Sequence, residues 1–99
     1  MNKPTEIIMR PGMFLPVGVA HYAIGILCKK YPAKPGQKRF ADQDAINKYG
    51  QDLFITVENI YREVLKTNRE ATVQVRWNAD GSPELTVTKR SMIIMPSAN

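Results

Sequence analysis

The sequence predicts an α+β fold, in which two helices pack on one face of a small, mainly antiparallel sheet. Two observations support this prediction. Residues 44–65 carry large apolar side chains at intervals of three and four, the spacing of one helix face. The last third of the chain alternates polar with apolar residues, as half-buried strands do. The predicted order is β–α–α–β–β–β within a single domain, residues 1–99.

The N-terminal part of the chain is predicted to form a short strand and a helix. Residues 6–10 contain consecutive large apolar residues and stop at Pro11-Gly12, a pair typical of turns. Pro16 suits the first turn of a helix, and the apolar spacing over residues 17–30 predicts that helix. A buried strand for part of this run is the alternative. Gly25 weakens the helix, unless it lets another backbone approach closely.

A loop and a long helix follow. Prolines and a glycine break regular structure in residues 31–39. Asp42 or Asp44 is expected to cap the long helix, because an acid is favourable at the positive end of the helix dipole. The helix should end near Thr67-Asn68. The predicted apolar stripe comprises Ile46, Tyr49, Leu53, Val57, Ile60, Tyr61 and Val64, widened by Phe54 and Leu65.

Three strands complete the predicted fold. Residues 72–77 and 84–88 both alternate, and a turn-rich connection at 78–83 predicts that they form a hairpin. A further strand is predicted over residues 91–95, and the first strand is expected to pair with this last one. The residues expected to face the helices are Val73, Val75, Trp77, Leu85 and Val87.

Composition excludes several classes of protein. The single cysteine, Cys28, rules out an intramolecular disulfide and a zinc site built on several cysteines, and we interpret it as a small buried hydrophobe. The uncharged run at residues 13–28 is too short and too interrupted to span a bilayer, and no signal-peptidase site follows it. We therefore expect a cytoplasmic protein that does not bind membranes.

Positive charge is concentrated in one segment of the chain. The net charge is +5, and residues 29–39 hold five cations and no acidic residue. These cations are interleaved with Tyr31 and Phe40, a combination that single-stranded nucleic-acid binders use. A solvated basic loop, with Phe40 stapled to the long helix, is the alternative. The candidate binding residues are Lys29, Lys30, Tyr31, Lys34, Lys38 and Arg39, extended by Arg76, Lys89 and Arg90.

No segment carries a specific catalytic or cofactor signature. His21, the only histidine, lacks a recognisable nucleophile to activate, and the carboxylates lack metal-ligand spacing. The oxygen-rich run at residues 78–84 is explained by turn chemistry. Glycine-rich phosphate motifs and the signatures of RRM, KH, zinc-finger and helix-turn-helix modules are missing. We expect no catalytic residues, no metal and no cofactor.

Three functions stay open. The first is a non-enzymatic accessory or inhibitory factor, of the kind phages and plasmids encode, that binds nucleic acid or an acidic protein surface. We expect it to be a homo-oligomer, because dimer formation would enlarge the modest core of so small a chain. The second is a metal-independent ribonuclease, since size, charge and element order are similar to those of small ribonuclease toxins. Its candidate side chains are Arg76, Lys89, Arg90 and either Tyr22 or His21. The third is a protein–protein adaptor that dimerises through residues 13–27.

Overall fold

The computed structural model describes residues 5–13 and 18–92. This part of the chain contains two helices and three strands, and the α+β class is confirmed. The strands form one antiparallel sheet in the order β1–β2–β3. The elements are β1 (Thr5–Met9), α1 (Gly18–Lys30), α2 (Gln43–Thr67), β2 (Arg69–Trp77) and β3 (Pro83–Met92).

The core lies between the helices and one face of the sheet. Val73 and Val75 of β2 are buried against residues from both helices, including Leu27 and Val57. Each large apolar side chain buried in this way stabilises the fold by roughly 1.5–3 kcal/mol. The other face of the sheet carries polar side chains, including a row in which Gln74 stands between residues of both neighbouring strands. That face has no helix over it in the part of the chain that the structure describes.

The apolar stripe of α2 is confirmed, with one exception. Leu53, Val57, Tyr61 and Val64 are buried, and the other predicted positions of the stripe pack partly against the core. Leu65 was expected to widen the stripe, but it is 51% exposed. Successive residues are rotated by about 100° around a helix, so the neighbour of a central buried residue points away from the core.

Both ends of α2 lie where the sequence predicts them. Asp42 occupies the N-cap position, and its carbonyl oxygen accepts a hydrogen bond from Ile46 N at 3.0 Å. Its carboxylate makes no capping bond. At the other end, Asn68 adopts a left-handed conformation with φ 52° and ψ 40°. Asparagine tolerates this region better than most residues, so it ends the helix and turns the chain into β2.

The pairing of the strands corrects two expectations. β1 pairs with the central strand β2, with Ile7 opposite Val73, and not with the C-terminal strand. β3 runs without a break to Met92, so Ser91 and Met92 extend it instead of starting a separate strand. Residues 93–95 of that expected strand lie outside the described residues.

A β-bulge at Thr88 explains why β3 continues. Lys89 lies opposite Thr72, whereas Val87 lies opposite Val73, so Thr88 is an extra residue on β3. The Thr88 hydroxyl donates to the carbonyl oxygen of Thr72 at 3.3 Å. The bulge lets pairing continue through a polar stretch whose simple alternation would otherwise turn Lys89 toward the helices.

Gly25 offers a direct test of the α1 assignment. A Cβ atom built there meets nothing within 4 Å, so Gly25 does not serve a close backbone approach. We expect Gly25→Ala to raise the free energy of unfolding by about 0.5–1 kcal/mol, because alanine restricts the unfolded chain and favours helix. Urea denaturation measures the change, and a lower free energy of unfolding in the variant would contradict the assignment.

Candidate functional site

The segment that joins α1 to α2 is a small ordered hairpin, which we call the connector (residues 31–42). Asp42 N donates to Tyr31 O at 2.8 Å and Ala33 N donates to Phe40 O at 2.9 Å, which pairs the two arms in antiparallel fashion. At the tip, Gln37 N donates to Lys34 O at 3.0 Å. Pro35 and Gly36 (φ +87°) occupy the central positions of this turn, as a type II turn requires.

Asp42 links the base of the connector to its tip. The residue is only 8% exposed. Its carboxylate accepts a hydrogen bond from Gln37 Nε2 at 2.9 Å and lies 3.7 Å from Lys34 Nζ. The side-chain oxygen of Gln37 in turn accepts from Lys34 N at 2.9 Å. The expected cap residue therefore holds the connector in shape, and the charge of Lys34 is partly compensated.

Two tyrosines clamp the β2–β3 turn onto the base of the connector. Tyr31 Oη donates to Gly81 O at 2.7 Å, and Tyr49 Oη donates to Asp80 O at 3.2 Å. The two tyrosine rings stack with centroids 5.8 Å apart, and Tyr31 meets Trp77 edge to face at 5.7 Å. Such contacts each add about 0.5–1.5 kcal/mol beyond the area they bury. We call Tyr31, Tyr49 and Trp77 the aromatic clamp.

The clamp changes the interpretation of Tyr31. Its ring packs against the rings of Tyr49 and Trp77, and its hydroxyl donates to a backbone carbonyl oxygen. Tyr31 therefore holds the base of the connector in place and is not a free ring for binding. Burial raises the pKa of the Tyr31 phenol, and the nearby Tyr49 and Asp80 raise it further. The phenol therefore stays a hydrogen-bond donor well above neutral pH. Sequence reasoning missed the clamp because its members lie far apart along the chain.

The oxygen-rich turn between β2 and β3 satisfies its own side chains. Asp80 Oδ1 accepts hydrogen bonds from Ser82 N at 3.0 Å and from Ser82 Oγ at 2.6 Å. The hydrogen bonds from Ser82 hold the pKa of the Asp80 carboxyl below its usual value. Asn78 Nδ2 also donates to Ser82 Oγ at 3.0 Å. These contacts order the turn against which the tyrosines close.

Most of the predicted cations around the connector lie close together along the chain and are exposed. Lys29 and Lys30 form the last turn of α1, while Lys38 and Arg39 lie on the return arm of the connector. Lys30 Nζ lies 5.6 Å from the centroid of Trp77, a cation–π distance that leaves the ammonium group at the surface. We call Lys29, Lys30, Lys34, Lys38 and Arg39 the connector cations.

Two further side chains belong to this surface. Phe40 is 76% exposed, so it does not staple the connector to α2. Lys48 of α2 places Nζ 5.4 Å from the centroid of Tyr49 and adds a cation that the sequence prediction left out. Only the fold brings Lys48 next to the clamp, because Tyr49 reaches the β2–β3 turn.

The predicted residues of the sheet are not gathered with the connector cations. Arg76 lies on the outer sheet face, opposite Glu84 and 3.4 Å from Gln74 Oε1. Lys89 shares that face, whereas Arg90 lies opposite Ala71 on the helix-facing side. Ala71 is six positions along β2 from Trp77, so Arg90 is roughly 20 Å from the clamp at about 3.3 Å per residue.

The described residues form a small cleft, and the candidate catalytic side chains of the sheet are divided between its two faces. His21 is exposed on α1, Arg76 and Lys89 lie on the outer sheet face, and Arg90 lies on the helix-facing side. A cleft of about 250 Å³ between α2 and β3, lined partly by Asp52, Thr56 and Ser82, is smaller than most ligand pockets. Within residues 5–13 and 18–92, no three metal-ligating side chains come together. Over the same residues, no helix is long and apolar enough to cross a membrane.

Comparisons of the chain with protein-family models, with curated proteins and with solved structures found no match. The side chains around the connector combine positive charge, of which that of Lys34 is partly compensated, with one exposed aromatic ring.

Gly81 tests the aromatic clamp. Its φ is +91°, and a Cβ atom there would lie 2.5 Å from Tyr31 Oη and 3.2 Å from Tyr49 Oη. We expect Gly81→Ala to lower the free energy of unfolding by about 1–3 kcal/mol, because the variant combines backbone strain with a displaced hydroxyl. Urea denaturation measures the loss. Gly36→Ala is the matched control, because Gly36 also has a positive φ of +87° but a Cβ atom there meets nothing within 4 Å. An equal effect of the two changes would contradict the clamp.

The Tyr31 hydroxyl is tested by pH. We expect Tyr31→Phe to cost about 0.5–1.5 kcal/mol at neutral pH, since Gly81 O loses its donor. Folding raises the pKa of Tyr31 above its ordinary value of 10.0, so its contribution is complete below pH 10 and is lost as pH rises through the higher folded pKa. The difference in unfolding free energy between wild type and variant should therefore shrink above pH 10. A constant difference would exclude this linkage.

Proposed function

We propose that this protein is a small non-enzymatic binding protein that engages a polyanion, nucleic acid or an acidic protein surface, through the connector cations. One observation is the main support for this proposal. Lys29, Lys30, Lys38 and Arg39 are exposed on or beside a hairpin held in one shape by its own hydrogen bonds, and residues 29–41 contain no acidic side chain. A basic patch of this kind attracts polyanions and raises their association rate.

The order within the connector favours binding over a passive solvated loop. Fixing a flexible loop costs free energy when a partner binds, and a segment already held by hydrogen bonds avoids much of that cost. The arms of the connector are paired by two backbone bonds, and the tip is tied to its base through Asp42. The cations therefore need little rearrangement to meet regularly spaced negative charges.

The alternatives receive less support from the geometry. Arg76 and Lys89 lie on the outer sheet face whereas Arg90 lies on the helix-facing side, which does not favour a shared ribonuclease site. The adaptor hypothesis depends on apolar residues 13–27, of which Val19, Ala23, Ile26 and Leu27 are already buried within the chain. We keep a cytoplasmic location and a homo-oligomer as parts of the proposal. A protein that binds without chemistry acts by occupying its target, which fits an accessory or inhibitory factor.

Charge-matched variants test this proposal. We expect replacement of Lys29, Lys38 and Arg39 by glutamine to weaken nucleic-acid binding at low salt by about tenfold or more. The plot of log affinity against log salt concentration should also become shallower by about 2, because fewer counterions are released. Fluorescence anisotropy with short labelled DNA and RNA, repeated at rising salt, measures both quantities.

A second triple variant is the matched control. Replacing Arg62, Lys66 and Arg69 by glutamine removes the same charge from exposed positions at the other end of α2 and should change affinity little. A third variant, with glutamine in place of Arg76, Lys89 and Arg90, tests whether the binding surface extends onto the sheet. Equal losses of affinity in the first two variants would show that only the net charge matters, and would overturn the proposal. Cleavage of RNA without added metal would favour the ribonuclease.

A further inference from the structure

We infer that the polyanion is single-stranded nucleic acid and that Phe40 is the platform on which one of its bases stacks; this inference rests on the proposed function. The connector contains two aromatic residues, which differ in their exposure to solvent. Tyr31 is packed into the clamp, whereas Phe40 is 76% exposed. An exposed apolar side chain is by itself ordinary, so its surroundings decide what it can do.

The position of Phe40 is fixed even though its ring is exposed. Its carbonyl oxygen accepts a hydrogen bond from Ala33 N at 2.9 Å. The next two residues, Ala41 and Asp42, are buried and anchor the return arm to α2. Lys38 and Arg39, both exposed, immediately precede the ring. A rigid arm therefore presents two cations and an aromatic side chain in sequence, the groups that recognise phosphates and a base.

A single strand fits this arrangement better than a duplex. Stacking on an aromatic ring requires the π face of a base, and in a duplex those faces are already stacked on neighbouring base pairs. A single strand exposes them at no such cost. Every base has a π face, so the contact should tolerate different sequences.

A protein partner fits the same surface less well. Stable protein interfaces bury about 800 Å² on each side around an apolar centre. The two exposed residues that precede Phe40 on the return arm, Lys38 and Arg39, are both charged. A base needs only one ring-sized contact.

The test compares Phe40→Ala with wild type by anisotropy, using a labelled ten-nucleotide oligothymidylate and a duplex of the same length. We expect the variant to bind the single strand about 5- to 100-fold more weakly, because one base loses its platform. The salt dependence should not change, since stacking releases no counterions. Ile55→Ala, which truncates another exposed apolar residue far along α2, should leave binding unchanged.

A second variant retains the ring. Phe40→Trp should bind the single strand at least as well as wild type, and the new indole should lose fluorescence when a base stacks on it. Wild type has Trp77 alone, so its signal provides the baseline. Circular dichroism and urea denaturation of each variant confirm that the fold is intact.

The outcomes separate this inference from the proposed function. If the connector triple variant loses affinity while Phe40→Ala keeps it, polyanion binding stands and stacking is wrong. If the triple variant keeps full affinity, both fail together. Equal binding of duplex and single strand by wild type would also overturn the inference. So would a dependence on Phe40 seen with polyglutamate or with phosphatidylserine vesicles and not with oligothymidylate.

Discussion

Tyr31 joins three parts of the molecule that lie far apart along the chain. It directly follows α1, its carbonyl oxygen receives the backbone N–H of Asp42 at the start of α2, and its hydroxyl reaches Gly81 in the β2–β3 turn. The position of the connector therefore depends on the sheet as well as on the helices. Because Gly81 has no side chain, the turn can approach the hydroxyl closely enough to accept its hydrogen bond. The surface to which we assign binding is built on this contact.

The parts of the fold that sequence reasoning predicts well are those with local causes. The stripe of α2 follows from which residues recur on one side of a helix, and buried Leu53 and Val57 bear it out. Asn68 ends that helix because of its own backbone preference. In β2, Val73 and Val75 are buried as their alternation indicates. Each of these features can be derived from neighbours a few positions away.

The features that sequence reasoning missed depend on distant partners. Nothing local shows that β1 lies beside β2, or that Thr88 is an extra residue in its strand. The carboxylate of Asp42 binds the connector tip and not the helix end, because Gln37 and Lys34 fold back onto it. For the candidate site, composition marks a segment rich in cations and aromatic rings, and its role in binding stays a prediction. Only three-dimensional packing distinguishes the engaged ring of Tyr31 from the free ring of Phe40.

The bulge at Thr88 has a consequence for the behaviour of the chain at high concentration. In the sheet that the structure describes, β3 is an edge strand, and an edge with regular spacing invites strand addition by another molecule. The extra residue interrupts that spacing, and Lys89 adds an ammonium group beside it. An incoming strand would have to leave amide groups unpaired at this point and desolvate a charge. The bulge and the lysine therefore disfavour strand addition at β3, the step by which a sheet edge polymerises into fibres.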